Sequence, residues 1–108
     1  MTVTARRFAS ATLSGVAATY YTVPALTKGV VKNVNVCNST GGAVNLTLYL
    51  VPSGGSPDAT NILISARSVA AGGVDRCPEV VNQVLEAGAT LQALGNGMTI
   101  VASGVEIT

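Results

Sequence analysis

The stretch VKNVNVCNSTGGAVNLTLYLVPSGGSPD, Val31 to Asp58, decides the fold class. Val30, Lys32, Val34 and Val36 share one parity, with Asn33, Asn35 and Cys37 on the other. Beyond NSTGG, Val44, Leu46, Leu48 and Leu50 share a parity against Asn45, Thr47 and Tyr49. A period of two turns one row inward and the other outward, which is the pattern of half-buried strands. NSTGG is rich in residues that tolerate positive φ, so it predicts a hairpin turn between the two strands. Pro52 has no N–H to give a ladder and ends the second strand before SGGSPD.

Working outward, NILISARSV continues the pattern, with Ile62, Ile64 and Ala66 on one face and Ser65 and Arg67 on the other. AAGGVD reads as a turn. PEVVNQVLEAG admits either a short helix opened by Pro78 or a strand, and its paired valines favour an extended or single-turn segment. ATLQALGNGMTIVASGVEIT predicts a second hairpin at Asn96-Gly97, with Leu91, Ala93, Met98, Ile100 and Ala102 inward. Gly104 then shifts the apolar parity to Val105 and Ile107, which predicts a bulge at Gly104 and an outward Glu106. Upstream, YYTVP supplies a short strand, and residues 1–14 are read as an edge strand or an N-terminal arm. The sum is one domain over residues 1–108. It is an all-β, two-sheet β-sandwich of about seven or eight mostly antiparallel strands, jelly-roll or immunoglobulin-like.

Composition agrees. Of 108 residues, 10% are charged and 4% aromatic, and there are 12 glycines. That is well below the roughly 25% charge of an average soluble domain, and it suggests a surface covered by neighbouring subunits. Net charge is +1, which argues against a nucleic-acid binder. Arg6, Arg7, Lys28 and Lys32 precede every acid, whereas five acids outnumber Arg67 and Arg76 from Asp58 onward. This asymmetry suits association of copies as well as simple solvation of scattered charges. No run is long enough to cross a membrane and nothing resembles a targeting segment, so production in the cytoplasm is expected.

Histidine is absent, which removes the commonest general base and metal ligand. Cys37 and Cys77 lack the spacing of a zinc site and are expected to be reduced thiols. Asp58, Asp75, Glu79, Glu86 and Glu106 form no pair spaced for acid–base work. The expectation is therefore no enzyme, no cofactor and no metal. Two segments stand out as interface candidates. Arg6-Arg7-Phe8 is basic and carries an aromatic ring suited to docking on an adjacent subunit. Tyr20 and Tyr21 would face opposite ways on a strand, one in the core and one at an interface or carbohydrate contact.

The segments YYTVPALTKGVVKNVNVCNSTGGAVNLTLYLVPSGG, NQVLEAGATLQA and VASGVEIT together resemble a group of small virion proteins of tailed bacteriophages. The resemblance implies a structural component of the particle, present in many copies. Capsid decoration, head–tail collar, tail and fibre attachment are all open locations. Its implied partners are other copies of itself, as a homo-oligomer, and phage capsid or tail proteins, without nucleic acid or membrane. The alternative is a receptor- or glycan-binding module of a tail fibre or spike, with Tyr20 or Tyr21 as contact residues.

Overall fold

The computed structural model describes residues 1–108 and contains nine strands. They are β1 (Val3–Thr12), β2 (Ala18–Thr22), β3 (Lys28–Cys37), β4 (Val44–Val51), β5 (Ile62–Val69), β6 (Val74–Asp75), β7 (Val84–Leu85), β8 (Thr90–Leu94) and β9 (Thr99–Ile107). A single 3₁₀ turn, Pro78–Val80, is the one helical element, and no helix is long and apolar enough to cross a membrane.

All pairings are antiparallel. One sheet has the order β1-β9-β3-β6, with β7 also on β3, and the other has the order β2-β8-β4-β5. Because β6 and β7 share one flank of β3, they act as a single strand interrupted at residues 76–83. Eight strand positions, four per sheet, with the chain crossing between layers at every connection except the β4–β5 hairpin, constitute a jelly roll. That selects one of the two topologies left open by the sequence.

The interior is assembled from the alternating rows. Val31, Val34, Val36, Leu46, Leu48, Leu91, Met98 and Ile100 are all buried. Each fully buried aliphatic side chain contributes about 1.5–3 kcal/mol. The interruption between β6 and β7 also helps fill the core, since Cys77 and Val80 are buried beneath it. Cys77 adopts φ 47°, and its thiol is pushed up to about 12, chiefly by burial. It is not bonded to Cys37.

Two expected hairpins are absent. β3 and β4 belong to different sheets, as do β8 and β9, so NSTGG and Gly95–Met98 are corners between layers. Asn38 explains the first corner. Its buried amide donates to Gly42 O at 2.9 Å and Val69 O at 2.8 Å, and its backbone bonds Gly72 and Gly73. These bonds tie the end of β3 to the β5–β6 connection and turn the chain out of its sheet. At the second corner only Gly97 has positive φ, +86°. A tight hairpin turn of type I′ needs positive φ at both central residues, whereas a type II turn needs it only at the second. That corner is bonded to the β1–β2 corner through Gly95 N–H to Ser14 O, Gly97 N–H to Leu13 O and Leu13 N–H to Met98 O.

The bulges also fall elsewhere than expected. β9 runs straight past Gly104, while its neighbours bulge beside it, β1 between Arg7 and Ala9 and β3 between Val31 and Asn33. The β3 bulge reverses the parity of its first half, so Val31 points inward and Val30 outward. On β5, Ala66 is exposed at φ 49° rather than inward with Ile64, and its N–H donates to Thr47 Oγ1 at 3.0 Å.

Candidate functional site

Three of the five interface candidates, Arg6, Phe8 and Tyr21, meet on one flank of the sandwich, where β1 lies over β2. The straight run of β9 turns Ile100, Ala102, Gly104 and Glu106 inward. Glu106 is therefore 7% exposed, which corrects the outward orientation expected of it. An ionised carboxylate is stable there only with partners. Tyr21 Oη donates to Glu106 Oε2 at 2.5 Å, and Arg6 Nε lies 2.7 Å from Glu106 Oε1. The Tyr21 ring stacks on Phe8 with centroids 3.9 Å apart and planes 7° from parallel. Burial and the adjacent Glu106 carboxylate raise the Tyr21 phenol well above its ordinary range, so it stays a neutral donor.

Gly104 makes this arrangement possible. A Cβ there would fall 2.1 Å from Val30 O and 2.6 Å from Phe8 Cε2. The absent side chain is the space that the phenyl ring occupies.

The candidates accordingly separate. Phe8 is 6% exposed and Tyr21 is held by ring and hydroxyl, so both are committed to the interior of this chain. Tyr20 sits in a bulge of β2 between Thr19 and Tyr21 and packs partly on the core, rather than facing opposite Tyr21 on a regular strand. Arg6 spans the boundary, exposed along its length with its head on Glu106. Arg7 is exposed on the outer face. Residues 1–14 form an ordered edge strand and its corner, bonded to β9 throughout the ladder.

The opposite flank has its own ionic closure. Arg67 of β5 grips Asp75 of β6 through Nε–Oδ2 and Nη2–Oδ1 contacts of 2.8 Å each, and also binds Glu79 of the 3₁₀ turn. Burial pushes the Asp75 carboxyl up, but the Arg67 guanidinium and the Cys77 N–H outweigh it and hold the carboxyl below its usual range. Glu79 is likewise lowered by its hydrogen bond to Arg67. Of the four cations that precede every acid, Arg6 pairs with Glu106 and Lys28 Nζ lies 3.9 Å from Glu86, so half of them meet an acid of the second half within the fold.

The surface that sequence reading missed is the outer face of the β1-β9-β3 sheet. Register places Ala5 opposite Val105, Val105 opposite Val30, and Val30 opposite Val84. Directly opposed residues share a face, so these four form one apolar row across β1, β9, β3 and β7. Val3 and Ile107 form a second pair beside it. Ala5 and Val84 at the ends of the row are exposed, Val84 by 55%, and Val30 and Val105 between them are half-buried. The signal was present in the Val30-Val31 doublet and in Val105 and Ile107, apolar residues at both parities. A change of parity at Gly104 fits a local bulge as well as two apolar faces, and the register selects the second.

Neither a family model nor a curated protein matches the chain. Among solved structures it is similar to a chain of the infectious bursal disease virus Gx strain structure. The TM-score is 0.43 at 14% identity, over 97% of this chain and 30% of that one.

Proposed function

We propose that this chain is a non-enzymatic structural subunit of a virus particle. Following the sequence resemblance, the particle is that of a tailed bacteriophage and the role is capsid decoration or a place in the head–tail collar. The observation that carries this reading is the apolar row Ala5–Val105–Val30–Val84 on the outer face of a sheet. A small domain that leaves such a row open to water loses solubility as a free molecule and gains adhesion when a neighbour covers it. The low charge content acts in the same direction. Stability shared with neighbours also relaxes the demands on a small core.

The test is the composition and density of purified particles. The expected result is this chain in many copies at regular sites, with the outer face of the β1-β9-β3 sheet against another subunit. Val30→Glu should leave the isolated fold intact and remove the protein from particles. Particles that lack the protein altogether would overturn the reading.

A further inference from the structure

The four outer sheet edges are not equivalent. The β6/β7 edge is broken into two-residue pieces. The β5 edge is bulged at Ala66 and tied down by Arg67, and β2 is short and bulged at Tyr20. Breaks, bulges and short strands are the usual ways in which proteins keep a sheet from adding strands. Residues Val3–Arg7 of β1 have none of them, since the β1 bulge begins only after Arg7, and of the charges that can also guard an edge Arg6 is paired with Glu106, which leaves Arg7. All five are exposed.

The hydrogen-bond alternation says which groups are free. Thr2 and Thr108 exchange both backbone bonds, at 3.0 and 2.9 Å. In an antiparallel ladder the bonded pairs then recur at Thr4–Glu106 and Arg6–Gly104. Val3, Ala5 and Arg7 therefore aim their N–H and C=O groups away from β9, into the open edge.

We infer that this edge pairs with the same edge of a second copy, antiparallel about a two-fold axis through Ala5. That register sets Ala5 against Ala5 and Val3 against Arg7, and would add about six backbone hydrogen bonds. A register centred on Arg7 would oppose two arginines, which is unfavourable. The Ala5-centred register has a second consequence, drawn from the face and not from the edge. The row Ala5–Val105–Val30–Val84 ends at Ala5, so the dyad joins it to its own copy as one apolar row across both sheets. The pairing deepens the particle reading by naming a partner, but its geometry stands on the edge alone.

Sedimentation equilibrium on four proteins tests it. Wild type should dimerise reversibly. Ala5→Pro removes a donor that serves no bond within the chain, and should be monomeric with the melting temperature of wild type diluted below its dimer dissociation constant. Val3→Glu, opposite Arg7 of the second copy, should tighten the dimer about threefold, and Val3→Arg should loosen it about threefold. If Ala5→Pro misfolds, the opposed signs of the two Val3 variants decide. A strictly monomeric wild type, a dimer that survives Ala5→Pro, or Val3 variants that shift together would overturn the proposal. So would an Ala5→Pro protein that keeps its self-association and loses only binding to another particle protein, because the edge would then belong to a different chain. Particles that incorporate Ala5→Pro normally, alongside an unaffected dimer, sink the edge and leave the particle reading intact. A dimer with the expected variant behaviour, absent from particles, does the reverse.

Discussion

At the β1/β2 flank a buried carboxylate, Glu106, is the central group, reached by a phenol from one sheet and an arginine from the other. At the β5/β6 flank the central group is Arg67, and its two acceptors differ, Asp75 being nearly as buried as Glu106 and Glu79 substantially exposed. Both clamps bind the two sheets together, but water treats them differently. Removing a partner from Glu106 strands a charge inside the protein, whereas removing Arg67 returns Glu79 to solvent and strands only Asp75. Loss of one partner from a buried polar pair costs more than loss of an exposed pair. The aromatic stack beside Glu106 adds a packing component that the Arg67 flank lacks.

The most severe way to break this comparison is Gly104→Val. Its side chain has no room beside Val30 O and the Phe8 ring, and overpacking against backbone lies at the upper end of the range for such changes, about 3 kcal/mol or more. The melting temperature should drop by many degrees, with loss of the near-ultraviolet signal of Tyr21. Tyr21→Phe is milder. It keeps the ring and removes a hydrogen bond to a charged acceptor, so chemical denaturation should report a loss of about 1.5–3 kcal/mol. Arg67→Ala should cost less, about 1–2 kcal/mol, and half a molar salt should shrink the difference by screening the Glu79 contact. An Arg67 variant less stable than Tyr21→Phe would invert the comparison.

pH separates the flanks by sign. The Tyr21 phenol is raised in the folded state, so its contribution is complete below about pH 10, the unfolded value, and is lost as pH rises beyond it. Tyr21→Phe should flatten that alkaline decline. Asp75 and Glu79 are lowered, so their contribution is present above about pH 4 and is lost as pH falls through their folded values. Arg67→Ala should flatten the acid decline and leave the alkaline limb alone. The smallest effect belongs to Glu86→Gln, which breaks only the 3.9 Å contact with Lys28 and should leave the melting temperature within a degree or two.

Legibility varied with range along the chain. The strands over Val44–Val51 and Thr99–Ile107 were readable because alternation depends on neighbouring residues. The positions of NSTGG and Asn96-Gly97 as turns were readable for the same reason. Their partners were not, because a turn rich in Gly and Asn serves a corner as well as a hairpin. Arg6-Arg7-Phe8 and Tyr20-Tyr21 were expected as two separate interface segments, and Arg6, Phe8 and Tyr21 instead meet one another around Glu106. Their role is internal, because Glu106 faces them, and Glu106 faces them because β9 does not bulge. Nothing local to Gly104 says that its neighbours bulge in its place.

The chain by itself determined the all-β class, the turn sites, and the set of aliphatic residues available for a core. Tertiary structure alone decided which sheet each strand joined, which way Glu106 pointed, and that the Ala5–Val84 row lay open. The physical reason is that a two-residue period reports which side chains share a side and says nothing of what covers that side. Covering is settled by hydrogen bonds between distant segments, such as Asn38 to Val69, that form only once both layers are in place.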